Sequence, residues 1–430
     1  MEPWGYLKSL TPTYPNVLLT TSVTTIGRNN KVCKLTDPNF SSRHCKIERE
    51  TIGKEAIFKL EDLSTNGTYL NKRHIQKGES VVLRVYDEIT LLDPKAMKDK
   101  CVTYTFIDND FERKEIELGG AQTKYDFLEF LGKGNFGVVK KVRNIETGKI
   151  CAMKIIDISS AREKGEDNLI RRECDILRQV DHPSIIKLYD VFETRMYVYI
   201  VMEYIGGGNL FQAIILSHKH YEDTRKQEVT TLENTLKATT DPAMKQKLQN
   251  SLGEIIRDIN ETGFSEEVTL LIMKQVLEAL VYLHAKGIIH RDLKLENVMW
   301  TGSGYEIRVS DFGLGRTVGK NSRAETICGT QIFTPPELYS GKTYDGTKMD
   351  VYSCGVMVYM MLTSQFPFDM KMQSSELVQK IIKGEFIPRA KFTKVSPEVV
   401  DLMQNMLLGN PEKRFSAAQC LQHEIFTRKH

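Results

Sequence analysis

The segment His290-Arg291-Asp292-Leu293-Lys294-Leu295-Glu296-Asn297 decides how the whole chain reads. It combines an acid that accepts a hydroxyl proton, a lysine for phosphate charge and an asparagine oxygen for a divalent cation. Downstream, strand-like Ile307–Val309 leads into Asp311-Phe312-Gly313, where Asp311 offers a second metal ligand. Magnesium takes oxygen ligands and is usually held by one or two such side chains plus phosphates. Upstream, Gly132-Lys133-Gly134-Asn135-Phe136-Gly137-Val138-Val139 lies between strand-like runs Tyr125–Gly132 and Gly137–Arg143. Glycines let a backbone approach phosphates closely. No helix follows, so the context of a dinucleotide-binding turn is missing. On the next strand-like run, Ile150–Ile155, Lys154 is flanked by apolar residues, which suits a buried or phosphate-paired amine. Glu173, in a helical stretch around Asn168–Val180, is its candidate carboxylate partner.

These strings, in this order, resemble the eukaryotic protein kinase family over residues 125–426. The resemblance implies an α+β two-lobed fold, with an N-lobe at 125–204, a C-lobe at 205–426 and ATP in the cleft. Lys154, held by Glu173, would pair the α- and β-phosphates. Asp292 would orient or deprotonate the substrate hydroxyl, Lys294 would neutralise the transferring phosphoryl group, and Asn297 and Asp311 would hold Mg2+. The loop glycines Gly132, Gly134 and Gly137 would cover the phosphates. Leu131, Val139, Ala152 and Met299 would wall the adenine, with Met202 as gatekeeper and Glu203–Ile205 as hinge. Asn209 would reach the ribose, and Glu296 would favour a basic residue in the substrate. Lys294, two residues after Asp292, matches the serine/threonine pattern. A catalytically inactive kinase fold that serves as a scaffold is the alternative from another class.

Thr326 aligns with the family's activation-loop phosphosite, and Arg291 is the residue that would bind its phosphate. Glu337 is expected to pair with Arg414.

Residues 1–107 read as β-rich, with short runs at Val17–Thr25, Ala56–Leu60, Val81–Val85 and Glu88–Leu92 separated by turn signals such as Asn66-Gly67. Such spacing suggests an antiparallel sandwich. Gly27-Arg28, Ser41-Ser42-Arg43-His44 and Ser64-Thr65-Asn66-Gly67-Thr68 resemble the forkhead-associated (FHA) family, a β-sandwich whose loops read phosphothreonine. The resemblance implies that Arg28 pairs with the phosphate, with Ser41, Ser42 and Thr65 as further donors and Asn66 on the peptide backbone. His44 reads as a brace for the loop. Residues 108–124 read as a linker. An FHA domain ahead of a kinase resembles the checkpoint kinase 2 family, which acts in DNA-damage signalling; meiotic or cell-cycle control stays open as the pathway. Implied partners are serine/threonine protein substrates, a phosphothreonine-bearing protein and a transient homodimer. That family's cluster of Ser-Gln and Thr-Gln sites has no counterpart here, since the only such pairs are Thr330-Gln331 and Ser364-Gln365.

Composition sets the outer bounds. Lysine plus arginine total 59 against 56 acids, a net charge of +3, which gives no electrostatic reason to expect nucleic acid as a partner. The longest unbroken apolar run, Cys354–Leu362, is too short to span a bilayer. Eight cysteines without a CxxC suggest reduced thiols in the nucleus or cytoplasm. Residues 217–262 stand apart as a polar helical insert. Asp241-Pro242 starts an amphipathic helix that Gly263 stops. It packs on its own domain or binds a partner; the sequence leaves both open.

Overall fold

The computed structural model describes all residues except 1–2, 12, 31–32, 34, 53–54, 95, 98–99, 110–120, 135–136, 159–166, 195–196, 240, 261–262, 313–315, 318–332, 341–344, 370–373, 387–391, 393–394 and 429–430. The chain divides into two compact units, Met1–Phe127 with Asn144–Gly148, and Leu128–Arg143 with Lys149–His430.

The first unit is a sandwich of two antiparallel sheets. Its strands are β1 (Gly5–Ser9), β2 (Val17–Leu19), β3 (Val23–Ile26), β4 (Cys45–Ile52), β5 (Glu55–Asp62), β6 (Thr68–Leu70), β7 (Arg73–Ile75), β8 (Ser80–Leu83), β9 (Glu88–Leu91) and β10 (Val102–Asp108). One sheet has the order β2-β1-β10-β9-β6-β7 and the other β3-β4-β5-β8. Leu7, Leu19, Ile26, Ile47, Leu60, Leu91 and Phe106 fill the space between them.

Three sequence expectations change here. The run Val17–Thr25 is two strands on different sheets. The break comes at Thr21, whose hydroxyl donates to the Val23 carbonyl at 2.8 Å, a local bond that competes with a continuous ladder. Strand β4 escaped notice because charges interrupt its apolar pattern. Those charges are paired across the sheet, Lys46 with Glu61 and Lys59 with Glu50, both at 2.7 Å. The start of the expected linker, Asp108, is the end of β10, which pairs with β1 through Gly5↔Asp108.

The second unit opens, from Leu128 onward, with most of an antiparallel sheet of β11 (Tyr125–Gly134), β12 (Gly137–Asn144), β13 (Ile150–Asp157), β14 (Leu188–Glu193) and β15 (Tyr197–Glu203). Its order is β11-β12-β13-β15-β14, and the Asp167–Gln179 helix belongs to the same lobe. The remainder is mainly helical, built on Glu266–Ala285 and Gly346–Thr363. Two short hairpins carry the functional loops: β16 (Ile288–Ile289) with β19 (Arg316–Thr317), and β17 (Val298–Trp300) with β18 (Ile307–Val309). Helix Glu266–Ala285 is long and apolar enough to cross a membrane by length and composition, which a count of unbroken apolar runs missed. Met273, Val276, Leu277 and Leu280 on it are buried in the core.

The insert begins in the middle of a helix. Leu210–Ala238 is one 29-residue helix, so its last turns are an extension of a core element, and Pro242–Asn260 packs back along it. The seam is half-buried at Tyr221, Val229, Leu232 and Leu236 on the first helix and at Leu248, Leu252 and Ile255 on the second.

Candidate functional sites

The cleft-facing side of the five-stranded sheet follows from its register. Side chains alternate along a strand, so Ala152 and Lys154 share one face of β13. Val139 stands opposite Lys154, and Met202 opposite Ala152, on that same face. A lysine there needs a counter-charge, because it is only 5% exposed. Both Glu173 oxygens accept from its ammonium, at 2.8 and 2.9 Å, and Asp311 Oδ1 lies 3.6 Å away. Burial pulls the amine toward neutrality, but the two carboxylates outweigh it and hold the Lys154 pKa above its ordinary value.

The catalytic-loop residues are organised by Asp350, which the sequence reading did not single out. Its Oδ2 accepts from the His290 amide at 3.0 Å and from His284 Nε2 at 2.9 Å, and its Oδ1 accepts from the Arg291 amide at 2.9 Å. Asp350 is fully buried; burial opposes its ionisation, but the His284 ring and the neighbouring donors hold its pKa below the usual carboxylate value. Arg291 takes a left-handed backbone (φ 68°), which these amide bonds support. The only sequence signal was an acid placed just ahead of the apolar run Val351–Leu362.

Around Asp292 the side chains converge. Lys294 donates to its Oδ2 at 2.8 Å, and the Asn297 amide donates to the same oxygen at 3.1 Å and to the Asp292 carbonyl at 2.7 Å. Both donors lie on Oδ2, leaving Oδ1 without a donor among the described residues. The Asn297 amide points its NH2 at Asp292, so its oxygen is the group left for a cation. The Asn297 carbonyl accepts from the Ser310 amide at 2.8 Å, which ties this loop to Asp311. Asp311 has φ 61°, and its buried Oδ1 has no hydrogen-bond donor. Hard oxygens from Asn297 and Asp311, one of them buried and unsatisfied, fit a magnesium ion. Phe312 is buried beside the His290 ring, centroids 4.9 Å apart.

The hinge is held by backbone. The Glu203 amide donates to the Lys187 carbonyl, and the Trp300 amide to the Gly208 carbonyl, each at 2.8 Å. Gly207 must be glycine, since a Cβ there would run into the Trp300 carbonyl and the Gly302 backbone. Met299 bridges Asn209, which brings that candidate wall residue under the hinge. Leu131 and Gly132 lie near the end of β11, Gly134 closes it and Gly137 opens β12, while the tip Asn135-Phe136 lies outside the described residues.

Two assignments acquire a second aspect. Asn209 caps the Leu210–Ala238 helix: its Oδ1 accepts from the Gln212 amide at 2.9 Å, and Gln212 returns the bond. Only its NH2 is left for a ribose. Glu296 is mostly buried with Oε2 unsatisfied; burial pushes its pKa up, against pulls from its own backbone amide and Lys294. Thr326 lies outside the described residues, and Glu337 accepts from both terminal nitrogens of Arg414 at 2.6 and 2.9 Å.

In the sandwich the sequence-selected residues gather on the loops at one end. A Cβ on Gly27 would lie 2.8 Å from the His44 amide nitrogen, so only glycine lets these loops meet. The Arg28 amide donates to the Ser41 carbonyl at 3.1 Å, and its Nε donates to the Phe40 carbonyl at 2.6 Å. Arg28, Ser42, Arg43 and Thr65 are exposed. Ser41 Oγ accepts from the Thr65 amide at 3.1 Å, and Asn66 donates to the Asn39 carbonyl at 2.8 Å. His44 is buried and ties two loops together: its Nδ1 accepts from the Ser41 amide at 3.2 Å, and Nε2 donates to the Gly67 carbonyl at 3.0 Å. Because Nδ1 accepts an amide hydrogen and Nε2 faces a carbonyl, the ring is the Nε2–H tautomer, and burial lowers its pKa.

Comparison with known proteins identifies both domains. The protein kinase domain profile matches residues 125–239 and 241–426, and the FHA domain profile matches residues 24–92. A probable serine/threonine-protein kinase of Dictyostelium discoideum, fhkC, is 34% identical across 99% of this chain and 65% of its own length. The serine/threonine-protein kinase cds1 of Schizosaccharomyces pombe is 30% identical, covering 93% of this chain and 81% of its own. The crystal structure of Rad53 1-466 in complex with AMP-PNP is 25% identical with a TM-score of 0.51, covering 98% of this chain and all of that one. The chain spans 65% and 55% of the Dictyostelium relatives fhkC and fhkE. With both profiles present in this order and relatives aligned along nearly its whole length, the chain belongs to the serine/threonine protein kinases that carry an FHA domain.

Proposed function

We propose that the chain phosphorylates serine or threonine in protein substrates using ATP, in checkpoint signalling in the nucleus or cytoplasm. Its FHA loops recruit it to a phosphothreonine-bearing partner. Recruitment raises local concentration, a transient pair of copies forms, and Thr326 is phosphorylated in trans. The phosphate then orders its segment against Arg291.

The observation that carries the reading is the Asp292 carboxylate. Lys294 and Asn297 occupy Oδ2, so Oδ1 is the oxygen that takes the substrate hydroxyl proton as that hydroxyl attacks the terminal phosphorus. Lys154, kept charged by Glu173, meets the phosphates. Lys294 balances charge on the transferring group. Asn297 and Asp311 would hold magnesium, which when bound neutralises phosphate charge. The chain's contribution is positioning plus electrostatics.

The test is phosphoryl transfer to a serine/threonine peptide by wild type and by Asp292→Asn, each with or without a phosphothreonine peptide bound. Transfer by wild type alone supports the reading; equal rates make the chain a phosphopeptide-binding scaffold. Arg28→Ala should lose phosphothreonine binding at least about tenfold while transfer at saturating substrate persists. Thr326→Ala should abolish phosphate-dependent activation; full activity in phosphatase-treated wild type would overturn the switch.

A further inference from the structure

One charged residue near the cleft has no part in the chemistry above. Arg308 lies on β18 between Ile307 and Val309, both buried, so alternation turns it to the other face. Its Nε donates to Glu203 Oε2 at 3.2 Å, and its Nη1 donates to the Ile307 carbonyl at 2.9 Å. The two side chains are 20% and 23% exposed, so solvent screens the pair only in part.

Glu203 is the first hinge residue. The far end of the hinge is tied to the same hairpin by the bond from the Trp300 amide to Gly208. The hinge segment 203–208 is therefore anchored at both ends to β17 and β18. Strand β18 then runs directly into Ser310 and Asp311. One short strand thus carries both the tether of the hinge and, three residues later, the carboxylate that faces Lys154.

We propose that Arg308 is a positioning residue for the nucleotide: by holding Glu203 it sets the hinge at a fixed distance from Asp311, so that adenine and phosphates are gripped together. The inference rests on the kinase reading above. The strand itself does not depend on the side chain. Gln275 accepts from the Ile307 amide at 3.2 Å, the Val309 amide donates to Ser184 at 2.8 Å, and the Val309 carbonyl accepts from Ile186 at 2.9 Å. Shortening Arg308 removes the tether and leaves the strand in place. A loosened hinge weakens nucleotide binding in ground and transition states alike, which raises KM without lowering kcat.

The experiment uses the full chain and two readouts: steady-state kinetics in ATP, and affinity for a fluorescent ATP analogue, which needs no turnover. Arg308→Gln should raise both KM for ATP and the analogue Kd by about tenfold, with kcat within about twofold. Arg308→Lys should recover most of the loss. Glu203→Gln should match Arg308→Gln, and the double variant should be no worse than either single one. Unchanged KM and Kd in Arg308→Gln, a fall in kcat at constant KM, or additive losses in the double variant would each overturn the proposal. A wild type that binds the analogue but transfers no phosphoryl group would sink the kinase reading and leave the affinity comparison to decide the role of Arg308; a wild type that binds no nucleotide would sink both.

Discussion

Lys154 and Glu173 lie 19 residues apart in sequence, and both oxygens of the acid are within 2.9 Å of the amine. Neither group is tolerable alone at this depth, because an isolated buried charge costs several kcal/mol. The closed pair locks the Asp167–Gln179 helix to the sheet in the arrangement that phosphate binding requires.

Glu173→Ala leaves a buried ammonium with only the more distant Asp311. Thermal unfolding should show a loss of about 3 kcal/mol, and transfer should fall by at least about a hundredfold. The raised pKa of Lys154 gives stability that is present below the unfolded value, 10.5, and fades as pH rises through the folded one. The stability difference should therefore be flat between about pH 6 and 9. A decline on the alkaline side of that window would contradict a charged Lys154, whereas a slope on its acid side belongs to Glu173, whose pKa burial raises against the pull of Lys154.

Asn209 separates two roles by substitution. Asn209→Ala should destabilise the chain by about 1 kcal/mol through the lost cap, and Asn209→Ser should restore most of that. If the ribose is also held by the amide NH2, Asn209→Ser still raises KM for ATP. Equal recovery of melting temperature and KM in the serine variant would assign Asn209 to the cap alone.

Arg414 is 1% exposed and sits with its guanidinium 5.0 Å from the Tyr352 ring centroid. Glu337→Gln strips its counter-charge. The expected cost is about 3–5 kcal/mol. Denaturant unfolding reads it, and an effect under about 1 kcal/mol would mean that the Leu408 and Lys348 carbonyls, which also accept from Arg414, suffice.

His44 makes the sandwich acid-sensitive. Its folded pKa is depressed, so its contribution is present above the unfolded value, 6.5, and is lost as pH falls through the folded one. Protonation puts a hydrogen on Nδ1, which then cannot accept from Ser41. Amide hydrogen exchange of β4 in the full chain should accelerate as pH drops from 7 toward 5, beyond the intrinsic pH trend. His44→Asn should flatten that excess, and an unchanged excess in the variant would assign the sensitivity to another group.

Local strings carried much of this in the sequence. The segment His290–Asn297 and the triplet at Asp311 are legible because phosphoryl transfer demands those groups at short, ordered spacing. The sandwich strings at Arg28, Ser41 and Asn66 stood out for the same reason, and the structure brings their loops together. Strand β4 was not, since its alternating charges look like a solvated stretch until a neighbouring strand pairs them. Asp350 was not, since an acid ahead of an apolar helix looks like a cap; the actual cap is Asp345.

By itself, then, the sequence determined the two-domain order and the fold of each, and it singled out the candidate residues for phosphate, because those follow from chemistry confined to short segments. Only the tertiary structure decided which charges are buried together and how side-chain atoms are shared. It put Asn209 on a helix cap, Asp350 under the catalytic loop and Arg308 against the hinge. Those contacts join residues up to 105 positions apart. No periodicity records them, because their energy arises only when packing excludes water around the pair.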